Sequence, residues 1–126
     1  MHLNSVMPSV PVSDLHAAIS FYTEKLGFEL SFQNSHLFAI VRRDGIEIGL
    51  MPEPVHHVPP GSGRLYLKVT DIEAWYEHIL SHNLTVLHPL KAESYGMYEF
   101  QIADPDGNHI NYGEPCAPEE PTAIDE

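Results

Sequence analysis

Tyr98-Glu99-Phe100-Gln101-Ile102-Ala103-Asp104-Pro105-Asp106-Gly107-Asn108-His109-Ile110-Asn111-Tyr112-Gly113-Glu114 is the stretch whose reading decides the fold. Two alternating runs, 98–103 and 108–112, flank Asp104-Pro105-Asp106-Gly107. Proline suits the second position of a tight turn, and Asp-Gly supplies a residue that tolerates positive φ, so the spacing predicts a β-hairpin. Side chains alternate across a strand, which puts Tyr98, Phe100 and Ile102 on one face and Glu99 and Gln101 on the other. In the second run Ile110 and Tyr112 share a face, opposite His109 and Asn111. One face is made for a core, and the other is polar enough to line a site.

Outward from this hairpin the chain reads as alternating strands and helices. Residues 5–12 alternate, Val6, Pro8, Val10 and Val12 against Met7, Ser9 and Pro11, and two prolines mark an edge strand or a strand at an inter-subunit seam. Ser13-Asp14 starts a helix with Leu15, Ala18, Ile19, Tyr22 and Leu26 at helical spacing, ended by Gly27. Residues 28–32 form a strand, 37–41 and 46–51 a hairpin across Arg42-Arg43-Asp44-Gly45, and 52–63 a loop. Then the order restarts. Residues 64–69 alternate, and Thr70-Asp71 caps a helix carrying Ile72, Trp75, Ile79 and Leu80. A short strand over 84–87 and a loop over 89–96 lead into the opening hairpin. Residues 115–126 have the composition of an acidic, disordered tail.

The second half repeats the first. Val12-Ser13-Asp14-Leu15 matches Val69-Thr70-Asp71-Ile72 at an offset of 57. Asp44-Gly45 matches Asp106-Gly107 at an offset of 62, so Ile48 pairs with Ile110 and Gly49 with Asn111. This gives an α+β chain: one domain over 1–114, built from two β-α-β-β-β modules at about 5–51 and 64–114 with the loop 52–63 between them. Each module is too small to bury its own sheet face.

At 126 residues the chain is one domain with the 43% hydrophobic content of an ordinary soluble protein. It has no apolar run of membrane length, and Met1 to Val6 lacks a basic region followed by an apolar stretch, so neither a signal peptide nor a membrane partner is expected and a cytoplasmic location is the default. The net charge is −12, and without Glu114, Glu119, Glu120, Asp125 and Glu126 thirteen acids against six bases still leave −7. Nucleic acid is disfavoured as a partner because phosphate binding needs a basic surface. An acidic surface steers a cationic ligand, and it also serves plain solubility. The single Cys116 has no internal disulfide partner.

Val12-x-Asp14-Leu15, then Phe21-Tyr22-x-x-x-Leu26-Gly27-Phe28, and Asp104-Pro105-Asp106-Gly107-Asn108 near the end resemble the vicinal oxygen chelate superfamily. That superfamily contains glyoxalase, ring-cleaving dioxygenases, fosfomycin resistance enzymes and bleomycin resistance proteins. The resemblance covers about residues 5–114 and implies paired modules whose curved mixed sheets enclose a cleft, often at a dimer interface. Fold does not fix function, which lives in the site. The enzymes hold a divalent metal at four quasi-equivalent places, which here carry Met7, Gly49, Arg64 and Asn111. Met and Gly cannot serve a hard cation, Arg repels it and Asn is a weak neutral donor, so no metal or other cofactor is expected. A relocated metal on Glu47 and His109 is the alternative, and Glu99 with His109 as acid and base is a catalytic one. His56-His57 in the loop is a weaker pair, and His36, His78, His82 and His88 are read as surface residues without ligand spacing.

Within the superfamily the chain is most similar to the bleomycin resistance type, through Val6-Met7-Pro8, Gly27-Phe28-Glu29 with Phe32, Phe38 to Arg43, and Glu99-Phe100 before Asp104-Pro105. That similarity implies a homodimer that exchanges its first strand and sequesters a small, planar and cationic guest, with no catalytic residues. The cleft aromatics it implies are Phe32, Phe38 and Tyr66; Glu47, Arg64, Lys68, Glu99, His109 and Asn111 complete the ligand-binding set. Tyr66 stands where an indole is typical, and Arg64 and Lys68 share its face. Simple alternation would turn Phe38 to the helix side, with Leu37 and Ala39 facing the cavity, unless a bulge intervenes. Trp75 is expected in the core. A superfamily member binding an unknown metabolite, with no drug role, is the further alternative, ranked just behind drug resistance.

Overall fold

The structure, a computed structural model, describes residues 1–52 and 58–116. His56-His57 and residues 117–126 of the expected tail lie outside the described residues. No helix among those described is long and apolar enough to cross a membrane. The described residues form two compact units, one of residues 1–52 and 58–63 with the turn 104–108, the other of residues 64–103 and 109–116.

The first unit carries a four-stranded sheet in the order β1-β4-β3-β2, made of β1 (Ser9–Val12), β2 (Glu29–Asn34), β3 (Phe38–Arg43) and β4 (Ile46–Pro52). β1 runs parallel to β4 and the other pairs are antiparallel. Helix α1 (Leu15–Ser20) starts where Asp14 accepts from Ala17 N at 3.1 Å. It continues as a π-helical turn over Phe21–Lys25. Phe28 N donates to Tyr22 O and Gly27 N to Thr23 O, the paired reverse bonds that close a helix C-terminus. Leu15, Ala18, Tyr22 and Leu26 are buried with Val10, Val12, Ala39, Val41, Ile48 and Leu50. Burying each of the larger side chains is worth about 1.5–3 kcal/mol. Asp104, itself buried, knits the unit together. It accepts from Tyr22 Oη (2.9 Å), Asp106 N (2.9 Å), Asn108 N (2.9 Å) and Asn108 Nδ2 (2.8 Å).

The second unit repeats the plan, with β5 (Arg64–Lys68), α2 (Ile72–Ser81), β6 (Thr85–Ala92), β7 (Met97–Ala103) and β8 (His109–Pro115) in the sheet order β5-β8-β7-β6. The registers match under the offsets read from sequence: Ser9 pairs with Gly49, and Tyr66 pairs with Asn111. The core here holds Leu65, Ile72, Ile79, Phe100, Ile102, Ile110 and Tyr112. Phe100 stacks on Tyr112 at 4.7 Å, Trp75 lies 5.5 Å from Tyr112, and Tyr76 5.0 Å from Phe100.

Several local expectations are corrected. The first strand begins at Ser9, not at residue 5. Arg42 and Arg43 belong to β3, and the turn is Asp44-Gly45 alone, both at positive φ as a two-residue hairpin of the primed type requires. The short strand at 84–87 is the eight-residue β6, which tolerates Pro89 because it lies at a sheet edge. Pro115 extends β8, and Cys116 N donates to Gly96 O, so the tail does not start at 115. Leu80 is exposed, and Tyr76 takes its place on the buried stripe of α2. Asp71 does not cap α2 with its side chain; Glu114 does, accepting from Asp71 N at 3.3 Å and Ile72 N at 3.0 Å.

Candidate functional site

Each sheet buries one face against its helix and core and leaves the other open, and the residues expected at a site fall on the open faces. In the first unit Ala39 and Val41 lie opposite Leu50 and Ile48, all four buried. Phe38 and Ile40 therefore point to the open face, which reverses the side that alternation gave Phe38. The expected interruption exists one strand over. Between Leu30 and Phe32 the β2–β3 register slips by one residue at Ser31. The slip turns Phe32 to the same face as Ile40, and without it Phe32 would follow Leu30 toward the face of Val41. Phe32 and Phe38 then meet with ring centroids 5.6 Å apart, and Phe32 stays 50% exposed. Glu47 sits on this face directly opposite Arg42.

In the second unit the open face carries Arg64, Tyr66 and Lys68 on β5, His109, Asn111 and Gly113 on β8, and Glu99 and Gln101 on β7. Tyr66 Oη donates to Glu99 Oε1 at 2.6 Å, across the strand that separates them. That reach needs the intervening residue to be Gly113, because a Cβ there would fall 2.7 Å from Tyr66 Cζ and 2.9 Å from Cε1. Tyr95 Oη donates to the other carboxylate oxygen, Glu99 Oε2. Both phenols hold their protons more tightly than usual. Burial and then the Glu99 carboxylate raise Tyr66, while the hydrogen bond to Glu99 leads in pushing Tyr95 up to about 12. Gln101 Nε2 donates to Asn111 Oδ1 at 3.0 Å, and Asn111 Nδ2 donates to Leu65 O at 3.2 Å. Beside this network lies a concavity of about 240 Å³ lined by His88, Glu93, Tyr95, Glu99, Gln101 and Asn111.

The structure thus brings together Phe32 with Phe38, and Tyr66 with Glu99. It does not pair Glu99 with His109. His109 lies opposite Ala103, four residues along β7 from Glu99, or about 13 Å at the rise of a strand. The Nδ1 of His109 is buried without a hydrogen-bond partner. Arg64 and Lys68 stand exposed at the edge strand β5. Tyr95 and His88 were missed by sequence reasoning because they fall in or beside the stretch read as a loop. Gln101 was legible, since alternation already placed it beside Glu99 on the polar face.

The residues at the superfamily's metal positions do not fit a metal. Gly49 offers no donor, and a Cβ there would lie 3.0 Å from Met51 Cε and 3.5 Å from Met7 Cε. Both ends of the Asn111 amide are already hydrogen-bonded. Arg64 lies opposite His109 and Arg42 opposite Glu47, so each member of the relocated pair has a guanidinium as its cross-strand neighbour. Among the described residues no three of His, Cys, Asp and Glu gather at a common point.

Comparison with known proteins agrees with the fold. Residues 2–112 match the Glyoxalase/Bleomycin resistance protein/Dioxygenase superfamily. A bleomycin resistance protein of Geobacillus stearothermophilus is 29% identical over 125 aligned residues, spanning 84% of this chain and 92% of the relative. The structure of TnmS3, an antibiotic binding protein from Streptomyces sp. CB03234, superposes with a TM-score of 0.78 at 30% identity, covering 91% of this chain and 98% of that one. The bleomycin-binding protein of bleomycin-producing Streptomyces verticillus, solved with copper(II)-bleomycin, gives 0.74 at 25% identity over 89% of this chain and 96% of that one.

Proposed function

The chain belongs to the Glyoxalase/Bleomycin resistance protein/Dioxygenase superfamily, and we propose that within it the protein binds and sequesters a small planar antibiotic of the bleomycin kind without transforming it. The observation that carries this reading is the Phe32–Phe38 pair, turned to the open face by the slip at Ser31 and left partly exposed. An exposed aromatic pair offers a flat guest stacking worth about 0.5–1.5 kcal/mol per contact beyond the area it buries. On the first unit's open face Glu47 supplies a polar contact beside this pair; on the second unit's own open face Tyr66, fixed by Glu99, offers a ring, with Arg64, Lys68, Glu99, His109 and Asn111 for polar contacts. The relatives that bind antibiotics support the guest class. The same reading includes a cytoplasmic homodimer in which the exchanged segment lies ahead of Met7, since β1 pairs with β4 of its own chain and Met7 Cε lies beside Gly49. Residues 1–8 precede β1 outside any strand, and Leu3 and Val6 expose apolar side chains that such an exchange would cover.

Calorimetry with metal-free bleomycin tests the reading. Binding at micromolar concentrations is expected, weakened by about tenfold in Phe32→Ala and in Phe38→Ala, as the loss of one stack with its buried area implies. No binding in that range would remove the drug assignment. Sedimentation should give twice the mass of one chain, and a monomer would remove the exchange.

A further inference from the structure

The turn 93–96 joins β6 to β7 and folds Tyr95 back onto Glu99 Oε2, at the concavity of about 240 Å³ on the open face of the second unit. A drug-sized guest needs about 300–1,000 Å³, so this space suits one functional group rather than a whole molecule. Its lining spends most of its hydrogens internally. Tyr66 and Tyr95 each give their one phenol proton to Glu99, Gln101 Nε2 gives one to Asn111 Oδ1, and Asn111 Nδ2 gives one to Leu65 O. One hydrogen on each amide and one on neutral His88 remain. Against these stand the further lone pairs of both Glu99 oxygens, Gln101 Oε1, the two phenol oxygens and the Glu93 carboxylate. Glu93 is half-buried, its carboxylate makes no hydrogen bond or ion pair among the described residues, and its charge acts on the Tyr95 phenol. Lys91 stands opposite Glu99 on β6, yet it does not line the concavity and forms no ion pair among the described residues. Glu99 Oε1 is held by Tyr66 across Gly113. Oε2 is covered only from the turn, where Gly96 sits at φ +88 in open space and leaves Tyr95 room to move.

We propose, resting on the binding function above, that this concavity is a subsite for a cationic N–H donor group of the guest, which takes Glu99 Oε2 from Tyr95. An amidinium, guanidinium or primary ammonium fits that description. The exchange favours the guest because a hydrogen bond between two charged partners is stronger than one from a neutral phenol, and an amidinium can set two in parallel on one carboxylate. Glu93 supplies a second carboxylate in the same lining. An anionic group meets two carboxylates and few donors there.

Benzamidine, a small rigid amidinium, tests the subsite without any antibiotic. Titrated into the isotope-labelled full chain at neutral pH, it should bind with a Kd of about 1 mM, ordinary for a fragment. The amides of residues 93–101 and the side-chain amides of Gln101 and Asn111 should shift first. Benzamide, its uncharged isostere, should bind at least about tenfold more weakly, a comparison that requires no variant. Benzamidine affinity should fall at least about tenfold in Glu99→Gln and about threefold in Glu93→Gln, and rise about threefold in Tyr95→Phe, which removes the competing phenol. Glu24→Gln, which takes the same charge from the first unit, should leave it unchanged. Equal binding of benzamide, shifts centred elsewhere, undiminished affinity in either glutamate variant of the concavity, an equal loss in Glu24→Gln, no gain in Tyr95→Phe, or no binding at tens of millimolar would each overturn the subsite. Bleomycin binding without benzamidine binding removes the subsite alone. Benzamidine binding without bleomycin binding removes the drug assignment alone.

Discussion

Gly113→Ala should break the strut that holds the polar face of the second unit. The added Cβ would lie 2.7 Å from Tyr66 Cζ and 2.9 Å from Cε1, closer than carbon atoms approach, so the ring has to leave. With it goes the 2.6 Å bond to Glu99. A hydrogen bond to a charged group is worth about 1.5–3 kcal/mol when well buried. Tyr66 is 44% exposed, so solvent screening brings its share down to about 1 kcal/mol. Lost ring packing over the Gly113 backbone adds a similar amount, while Ala in a strand recovers roughly 0.5 kcal/mol of backbone entropy. The net cost is about 1–2 kcal/mol, a fall of about 4–8 °C in Tm for a chain of this length. Thermal melts of wild type, Gly113→Ala, Tyr66→Ala and the double variant close a mutant cycle. Without the Tyr66 ring, alanine at 113 meets nothing on that side and should be neutral or slightly stabilising, giving a coupling of at least about 1 kcal/mol. An equal cost of Gly113→Ala in both backgrounds would refute the strut.

Three further outcomes follow from particular contacts. A phenol that holds its proton more tightly in the folded chain stabilises the fold below its unfolded pKa of about 10, and loses that contribution as pH rises through the folded value. With Tyr95 at about 12 and Tyr66 raised in the same direction, the stability gap between wild type and Glu99→Ala should hold at neutral pH. It should close above pH 10 as the phenols ionise, and phenolate absorbance in Glu99→Ala should show two tyrosines returning toward their ordinary range. Glu114→Ala should cost about 1 kcal/mol in urea unfolding because it uncaps α2, whereas Asp71→Gly should be neutral or stabilising, since Asp71 sits at φ +66 without a capping bond. Asp104→Ala removes the acceptor of the Tyr22 hydroxyl, of two backbone N–H groups and of one Asn108 amide hydrogen, and should cost about 3–5 kcal/mol. A urea midpoint no lower than that of Glu24→Ala would count against it.

The repeat made the architecture legible, because two offsets read from short motifs reproduce the strand register in both sheets. What stayed hidden was settled by position in the sheet rather than by residue type. Pro89 looks like a strand terminator, but β6 is an edge strand and needs no N–H on its outer side. Thr70-Asp71 looks like the cap that Ser13-Asp14 is, yet Glu114 reaches α2 from 42 residues away. The slip at Ser31 has no glycine or proline to announce it, and it alone decides which way Phe32 faces.

The polar face shows why listing lost ligands understates the change from a metal site. Under the repeat, Met51 corresponds to Gly113 and Gly49 to Asn111, so the two sheets solve the same places with opposite sizes. In one, Gly49 is closed over by Met51 and Met7; in the other, Gly113 is closed over by Tyr66. At Gly49, a ligand position, neighbouring side chains stand where a ligand would have to stand, and at Gly113, two residues beyond the other ligand position, a phenol does the same to the strand beside it. A carboxylate placed at residue 49 would meet Met51 Cε before any ion, and one placed at 111 would first displace the Gln101 and Leu65 hydrogen bonds. The packing is built around thioether and phenol groups: a thioether is too soft a donor for a hard cation, and the Tyr66 phenol keeps its proton directed at Glu99. On these faces it is the packing, more than the residue type at any one of the four positions, that a metal ligand would have to displace.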